Sequence, residues 1–201
     1  MEFIIKDEYK VLKKKGLTGK DSIGDYWLIF ETRPYMRARA NYLDILVELS
    51  MFKKAIKEED LLRLCEGDNL RIRNTLMHLY VYMEDEESAL KLCKKFTEDE
   101  EYENDLPVEF AIPLAALYFK KADFNKAKKY LIEAQEINEN TIDFFERLSD
   151  GDIDFDINME SFMYNTIEEL EVMFVSNMYF YVILQHFIMW TYEILDSRYN
   201  K

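Results

Sequence analysis

Leu114–Asn138 reads LAALYFKKADFNKAKKYLIEAQEIN, with small residues at Ala115, Ala127 and Ala134 and larger apolar ones at Leu114, Tyr118 and Leu131. At 3.6 residues per turn these positions form the facing sides of two helices joined by a short turn. Small side chains let two helix backbones approach closely, and the larger ones fill the gap between them.

Working outward, the Ala127 position recurs at Ala89 in DEESALKLCKKF and at Ala55 in FKKAIKEEDLLRL. The first spacing is 34 residues and the second 38, and the four extra residues fall in the acidic run Thr97–Asp105, where a longer loop costs little. A period of 34 is that of tetratricopeptide repeats, each a pair of antiparallel helices. With the anchor alanine at position 20, the third copy has the expected residue type at every position named above. The second copy is fair, with Leu76, Tyr80, Ala89 and Phe96; the first is weak, with Leu43 where a small residue belongs and Glu59 at position 24. The expected fold is all-α: a tetratricopeptide-like solenoid of about three helix pairs over residues 34–140. An N-terminal cap over 1–33 and C-terminal capping helices with an acidic loop over 141–201 would seal it.

Capping and turn signals place the helices. Pro34 suits the first turn of a helix running to about Leu49. A second helix is expected over Phe52–Cys65, stopping near Gly67. Asp68 or Asn69 caps a third to Met83, and Asp85 a fourth to Phe96. Pro107 opens a fifth to Lys121, with a kink expected at Pro113. Asn125 is the expected cap of the sixth, ending near Ile137, and Thr141 that of the seventh, ending near Leu148.

Five Gly and three Pro in 201 residues leave few places for the turns of a many-stranded sheet, while 49% apolar residues suffice for a substantial core. Cys65 and Cys93 have no second Cys or His at metal-ligand spacing, so they read as buried free thiols. Met1–Gly16 carries charges at Glu2, Lys6, Asp7, Glu8 and Lys10, so no signal peptide is read and a cytoplasmic protein is expected. The net charge of −14 is uneven: 18 basic and 17 acidic residues from Met1 to Phe96, then 6 basic against 21 acidic from Thr97 to Glu171. The acidic surface repels phosphate backbones, and no Lys/Arg stripe offsets it, which argues against direct nucleic-acid binding.

Val172–Tyr192, VMFVSNMYFYVILQHFIMWTY, contains no Asp, Glu, Lys or Arg and has the length of a bilayer span. It also contains Asn177, Gln185 and His186, lacks basic flanks, and is expected to break near Ser176 and Asn177. Buried C-terminal helices or a homodimer surface are therefore expected in place of a membrane span. In Ser149–Glu160, Ile153, Phe155 and Ile157 are expected to pack inward. Asp150, Asp152 and Asp154 have the spacing of calcium-loop ligands, but Phe155 stands at the obligatory Gly position and Ser161 at the bidentate Glu position. No metal is expected.

GDYWLIFETRPYMRARANYLDIL (Gly24–Leu46), followed by LLRLCEGDNLRIRNTLMHL (Leu61–Leu79), resembles a family of bacterial tetratricopeptide-type proteins. Its members carry an ETRPYMRA motif and, after the next helix, an LRLNPNDNQGVRYLL motif; part of the suppression-of-tumorigenicity family is similar. Glu31–Ala38 matches the first motif throughout, and Leu62, Arg63, Leu64, Asp68, Asn69 and Arg73 match the second. Cys65, Glu66 and Gly67 depart from the family's Asn-Pro-Asn, and Arg71 from its Gly. The resemblance continues weakly through Ala127 and Asn138. It implies a helical-repeat fold and no activity.

In such an array, positions 2, 5, 6 and 9 of each first helix line a concave groove. The same numbering assigns Arg37, Asn41, Arg71, Asn74 and His78 to a peptide-binding groove, where Arg and Asn can hold a carboxylate or main-chain groups. Glu31, Arg33, Arg37, Asp68, Asn69 and Arg73 also read as a polar network, with Arg37 and Arg73 paired to Glu31 and Asp68. Trp27, Phe30 and Tyr35 either plug the N-terminal end of the solenoid or line one end of the groove.

His78 and His186 lack the partners of a triad, and Gly16–Gly24 lacks the Lys-Ser/Thr ending of a phosphate loop, so neither catalysis nor a cofactor is expected. The expected function is that of a non-catalytic adaptor binding a protein or peptide, best a negatively charged or C-terminal segment. The alternative is a self-associating structural or regulatory subunit dimerising through the aromatic C-terminal helices.

Overall fold

A computed structural model of the chain describes residues 1–97, 106–152 and 163–199. Every regular element among them is helical, apart from one isolated antiparallel bridge between Asp25 and Cys65. The chain divides into two compact units, Met1–Leu79 and Tyr80–Lys201. Ile153, Phe155 and Ile157, the Asp154 and Ser161 positions of the calcium comparison, and the acidic run after Thr97 lie outside the described residues.

In the first unit α1 (Glu2–Lys14) packs on α2 (Arg33–Glu48), enclosing Leu12, Met36 and Leu43. The Tyr35 ring lies 5.8 Å from Tyr9 and 6.3 Å from Tyr26. Glu2 accepts hydrogen bonds from Tyr42 (2.5 Å) and Lys54 (2.6 Å), tying the start of α1 to the chain around α2. Pro34 stands in the first turn of α2, where its missing N–H leaves no bond unmade. The single helix expected over Phe52–Cys65 is instead three pieces: α3 (Phe52–Ala55), a 3-10 stretch Ile56–Asp60, and α4 (Leu61–Leu64). Within that tightened stretch Glu58 and Asp60 bind a buried arginine of α2, a tertiary demand that no local signal carries. α5 (Ile72–Tyr82) starts after Asp68, whose carboxylate accepts from the backbone N–H of Ile72 (2.8 Å) and Arg73 (3.0 Å). This is the expected cap.

In the second unit, Asp85 accepts from the Ser88 N–H (3.1 Å) at the start of α6 (Glu86–Thr97). α7 (Val108–Lys120) follows Pro107 and continues through Pro113; α8 (Phe124–Ile137) folds back on it across Lys121–Asp123. Leu114, Ala115, Tyr118, Ala127, Leu131 and Ala134 are all buried, none more than 4% exposed. Asp123, not Asn125, caps α8 by accepting from the Lys126 N–H (3.2 Å). Thr141 is not a cap either: it is the first residue of α9 (Thr141–Asp150), and its hydroxyl donates backwards to the Asn138 carbonyl (2.7 Å).

The uncharged run breaks at Asn177, between α10 (Ile167–Ser176) and α11 (Met178–Tyr181), with α12 (Gln185–Tyr199) beyond. Among the described residues no helix is long and apolar enough to cross a membrane. Phe174, Phe180, Tyr181 and Phe187 point into the unit and are buried, while Met178, Val182, Ile183 and Met189 are exposed.

One local structure recurs along the chain. At the end of α2 the Ser50 N–H bonds to the Val47 carbonyl and the Met51 N–H to that of Leu46, with Ser50 left-handed at φ 56°. Glu84 (φ 58°) does the same after α5, through Glu84 to Val81 and Asp85 to Tyr80, and Ala122 (φ 57°) after α7, through Ala122 to Phe119 and Asp123 to Tyr118. These paired bonds satisfy the last carbonyls of each helix, normally around a glycine. Ser50, Glu84 and Ala122 are 34 and 38 residues apart and each precedes its anchor alanine by five. Because Ala122 is exposed and its Cβ crowds the following carbonyl, Ala122→Gly is expected to stabilise the protein by about 0.5–1 kcal/mol, the strain removed less the freedom gained by the unfolded chain. Scanning calorimetry should show a rise of roughly 1–4 °C; a fall would mean that this turn stores no strain.

Candidate functional site

The loop before α2 is anchored at both ends. Tyr26 N–H donates to the Leu64 carbonyl (3.0 Å) and Glu66 N–H to that of Gly24 (3.0 Å), so the two motif-bearing stretches meet through their backbones. Gly24 has φ +100° and a Cβ there would lie 3.1 Å from the Glu66 side chain, so the position is suited to glycine on both counts. The Thr32 hydroxyl hydrogen-bonds back to the carbonyls of Tyr26 and Ile29, the latter at 2.7 Å, closing the loop.

This holds Trp27, half-buried, beside α2. Arg33 Nε donates to the Trp27 carbonyl (2.8 Å), and the guanidinium carbons of Arg33 and Arg37 each lie 5.5 Å from the Trp27 ring centroid. Spaced four residues apart, the two arginines share one helix face, and Asn41, exposed, follows one turn later. The Phe30 ring lies 5.9 Å from the Arg33 guanidinium; Phe30 is 76% and Leu28 72% exposed. Among the described residues neither Arg33 nor Arg37 pairs with a carboxylate. Stacking on the indole restrains both heads while leaving N–H edges for an acceptor.

Arg39, two residues beyond Arg37, faces the other way and is buried. Its Nε donates to Glu58 (2.7 Å) and an Nη to Asp60 (3.3 Å), and it lies 5.8 Å from the Tyr35 ring. Asp60 also accepts from Arg63 (2.7 Å). Burial pulls the Arg39 pKa down, but the hydrogen bond and charge of Glu58 outweigh it and raise it further. At Asp60 burial raises the pKa, and the bonds to Arg63 and Arg39 overturn that and lower it. This centre holds the 3-10 stretch to α2 and was not anticipated. Its signal was present: two arginines two positions apart lie about 200° apart round a helix, so one of them faces inward.

The other anticipated residues divide between surface and interior. Glu31 is exposed and does not pair with Arg37, whose head lies on Trp27 instead. Asp68 and Arg73 do approach, at 3.8 Å, both buried. Asn69, exposed, accepts from the Cys65 thiol (3.4 Å). Of the five groove positions Arg37 and Asn41 are exposed and Arg71 is half-buried at a left-handed φ of 53°. Asn74 and His78 are enclosed, at 3% and 0%, with His78 Nδ1 2.9 Å from the Asn74 carbonyl. The arrangement open to solvent is therefore Arg37 and Asn41, both exposed, beside the half-buried Trp27 and Arg33.

Charge separates the units more sharply than the halves of the sequence do. Met1–Leu79 holds 15 basic and 13 acidic residues, and Tyr80–Lys201 holds 11 and 27. The arginine pair thus stands on the one unit of positive net charge. Among the described residues no three His, Cys, Asp or Glu side chains cluster as a metal site. No protein-family model, curated protein or solved structure matches the chain.

Proposed function

We propose that this protein is a non-catalytic binding module of tetratricopeptide-like architecture that holds an anionic peptide segment on the α2 face bearing Trp27, Arg33, Arg37 and Asn41. The observation that carries the reading is the pair of guanidiniums lying 5.5 Å from one indole centroid, without a carboxylate partner among the described residues. Two restrained forks, Arg37 exposed and Arg33 half-buried, suit an acidic side chain or a terminal carboxylate, and Asn41 adds a donor and an acceptor for the ligand main chain. The architectural part rests on the three equivalent helix ends at Ser50, Glu84 and Ala122, on the buried small residues of α7 and α8, and on the resemblance of Glu31–Ala38 to the ETRPYMRA motif. The enclosure of Asn74 and His78 removes those two from the ligand contacts, and the reading rests on α2 and the loop before it.

The test is an array of short peptides carrying acidic residues or free C-termini, probed with wild type and with the Arg33→Ala/Arg37→Ala double variant. The variant also gives up the Arg33 bond to the Trp27 carbonyl, so circular dichroism on both proteins must first show equal helicity. Bound acidic peptides are expected to lose about tenfold to a hundredfold in affinity, the worth of one or two charge-assisted hydrogen bonds. Equal binding by both proteins would refute the assignment.

A further inference from the structure

We infer that the group gripped by this face is doubly anionic, a phosphate monoester on a peptide side chain, with an apolar neighbour resting on Leu28 and Phe30; the inference builds on the anionic-peptide reading above. A lone carboxylate is satisfied by one guanidinium fork. Here two forks stand on one indole, each 5.5 Å from its centroid, and a single carboxylate would leave one of them without a counter-charge. A phosphate monoester carries about −1.5 to −2 charges at neutral pH and three acceptor oxygens, enough for both. The donors divide accordingly: the Arg33 Nε–H is spent on the Trp27 carbonyl, which leaves that head its terminal N–H groups, while the Arg37 head makes no hydrogen bond among the described residues.

The apolar part of the ligand follows from the loop. Phe30 borders Arg33, and both Phe30 and Leu28 expose about three-quarters of their surface although they lie in a loop fastened by backbone hydrogen bonds on either side. A free phosphate ion has no use for two such side chains, whereas a peptide presents an apolar residue next to its phosphorylated one. The Met1–Leu79 unit that bears the arginine pair has a slight excess of positive charge, and the acidic remainder of the chain disfavours long polyanions.

The experiment is calorimetric titration of the full chain with a blocked pentapeptide containing phosphoserine between two leucines, its glutamate and serine counterparts, and inorganic phosphate. The phosphopeptide is expected to bind at least about tenfold tighter than the glutamate peptide, with no measurable binding of the serine peptide. Arg33→Lys and Arg37→Lys, which keep the charge and lose the planar fork, should each weaken the phosphopeptide by about tenfold. Phe30→Ser should weaken the phosphopeptide and leave inorganic phosphate unchanged. Equal affinity for phosphoserine and glutamate peptides would overturn the doubly anionic ligand and leave the acidic-peptide reading standing. Inorganic phosphate binding as tightly as the phosphopeptide would overturn the peptide-borne ligand. Failure of both anionic peptides would refute this inference and, if the peptide array also shows no dependence on Arg33 and Arg37, the reading beneath it.

Discussion

Phe187→Ala is expected to destabilise the Tyr80–Lys201 unit by about 3–5 kcal/mol, the usual cost of deleting a buried aromatic ring. Phe187 is fully enclosed, and its ring lies 5.5 Å from Phe119 of α7, 6.0 Å from Phe145 of α9 and 6.3 Å from Trp190 of α12. One ring therefore serves the junction of three helices, and its loss opens a cavity that none of the neighbours can fill without moving its own helix. Denaturant unfolding should show a lower midpoint at unchanged slope. Met189→Ala, on the exposed side of the same helix, should stay within about 0.5 kcal/mol of wild type. A loss below about 1 kcal/mol at Phe187 would mean that α12 does not belong to the core. The same contrast bears on self-association: the buried aromatics are committed to this unit, so a dimer contact there would have to use Met178, Val182, Ile183 and Met189.

Arg39→Ala should cost the Met1–Leu79 unit about 3 kcal/mol, toward the lower end for breaking a buried ion pair. The Arg39 and Glu58 side chains are 9% and 15% exposed, whereas Asp60 at 42% is partly solvated and recovers water when the arginine is gone. The penalty comes mainly from the stranded Glu58 carboxylate. Arg39→Met alone should therefore be nearly as damaging, while Arg39→Met with Glu58→Leu should recover most of the loss. Acid should act on the same centre. Asp60 has a folded pKa below its ordinary 3.8, so its contribution is complete above that value and disappears as the pH falls through the lowered one. Wild type should lose more stability than the double variant in that acid range. Equal acid loss would show that Asp60 gains nothing from Arg39.

How far these features were legible in the sequence depended on how local their causes are. Pro34, Asp68, Asp85 and Pro107 mark helix starts because capping acts within one turn, and all four stand where their chemistry requires. The Phe52–Cys65 stretch was misread for the opposite reason, since Glu58 and Asp60 bind an arginine about twenty positions earlier. Asp123 and Asn125 are both good caps by type. The choice between them follows from the paired bonds at Ala122, which bring the chain around one residue before Asp123. At the candidate site, repeat phase placed Arg37 and Asn41 on an open face. It could not show that Asn74 and His78 are covered, because phase identifies a side of a helix and says nothing of what packs against it. Arg33 was read only as part of an internal network. Its place beside Trp27 depends on where the preceding loop carries that ring, a matter of the backbone bonds to Leu64 and Glu66.

The two native thiols offer a practical opening. Cys65 and Cys93 are both buried and so shielded from a reagent in the folded protein, and burial also pushes the Cys93 thiol up to about 12. A cysteine introduced at Asn41 would then be the sole fast-reacting sulfur on the molecule. A fluorophore coupled there, one helical turn from Arg37, would give up the Asn41 contact but report the arrival of a ligand on the arginines in real time without the native cysteines having to be removed.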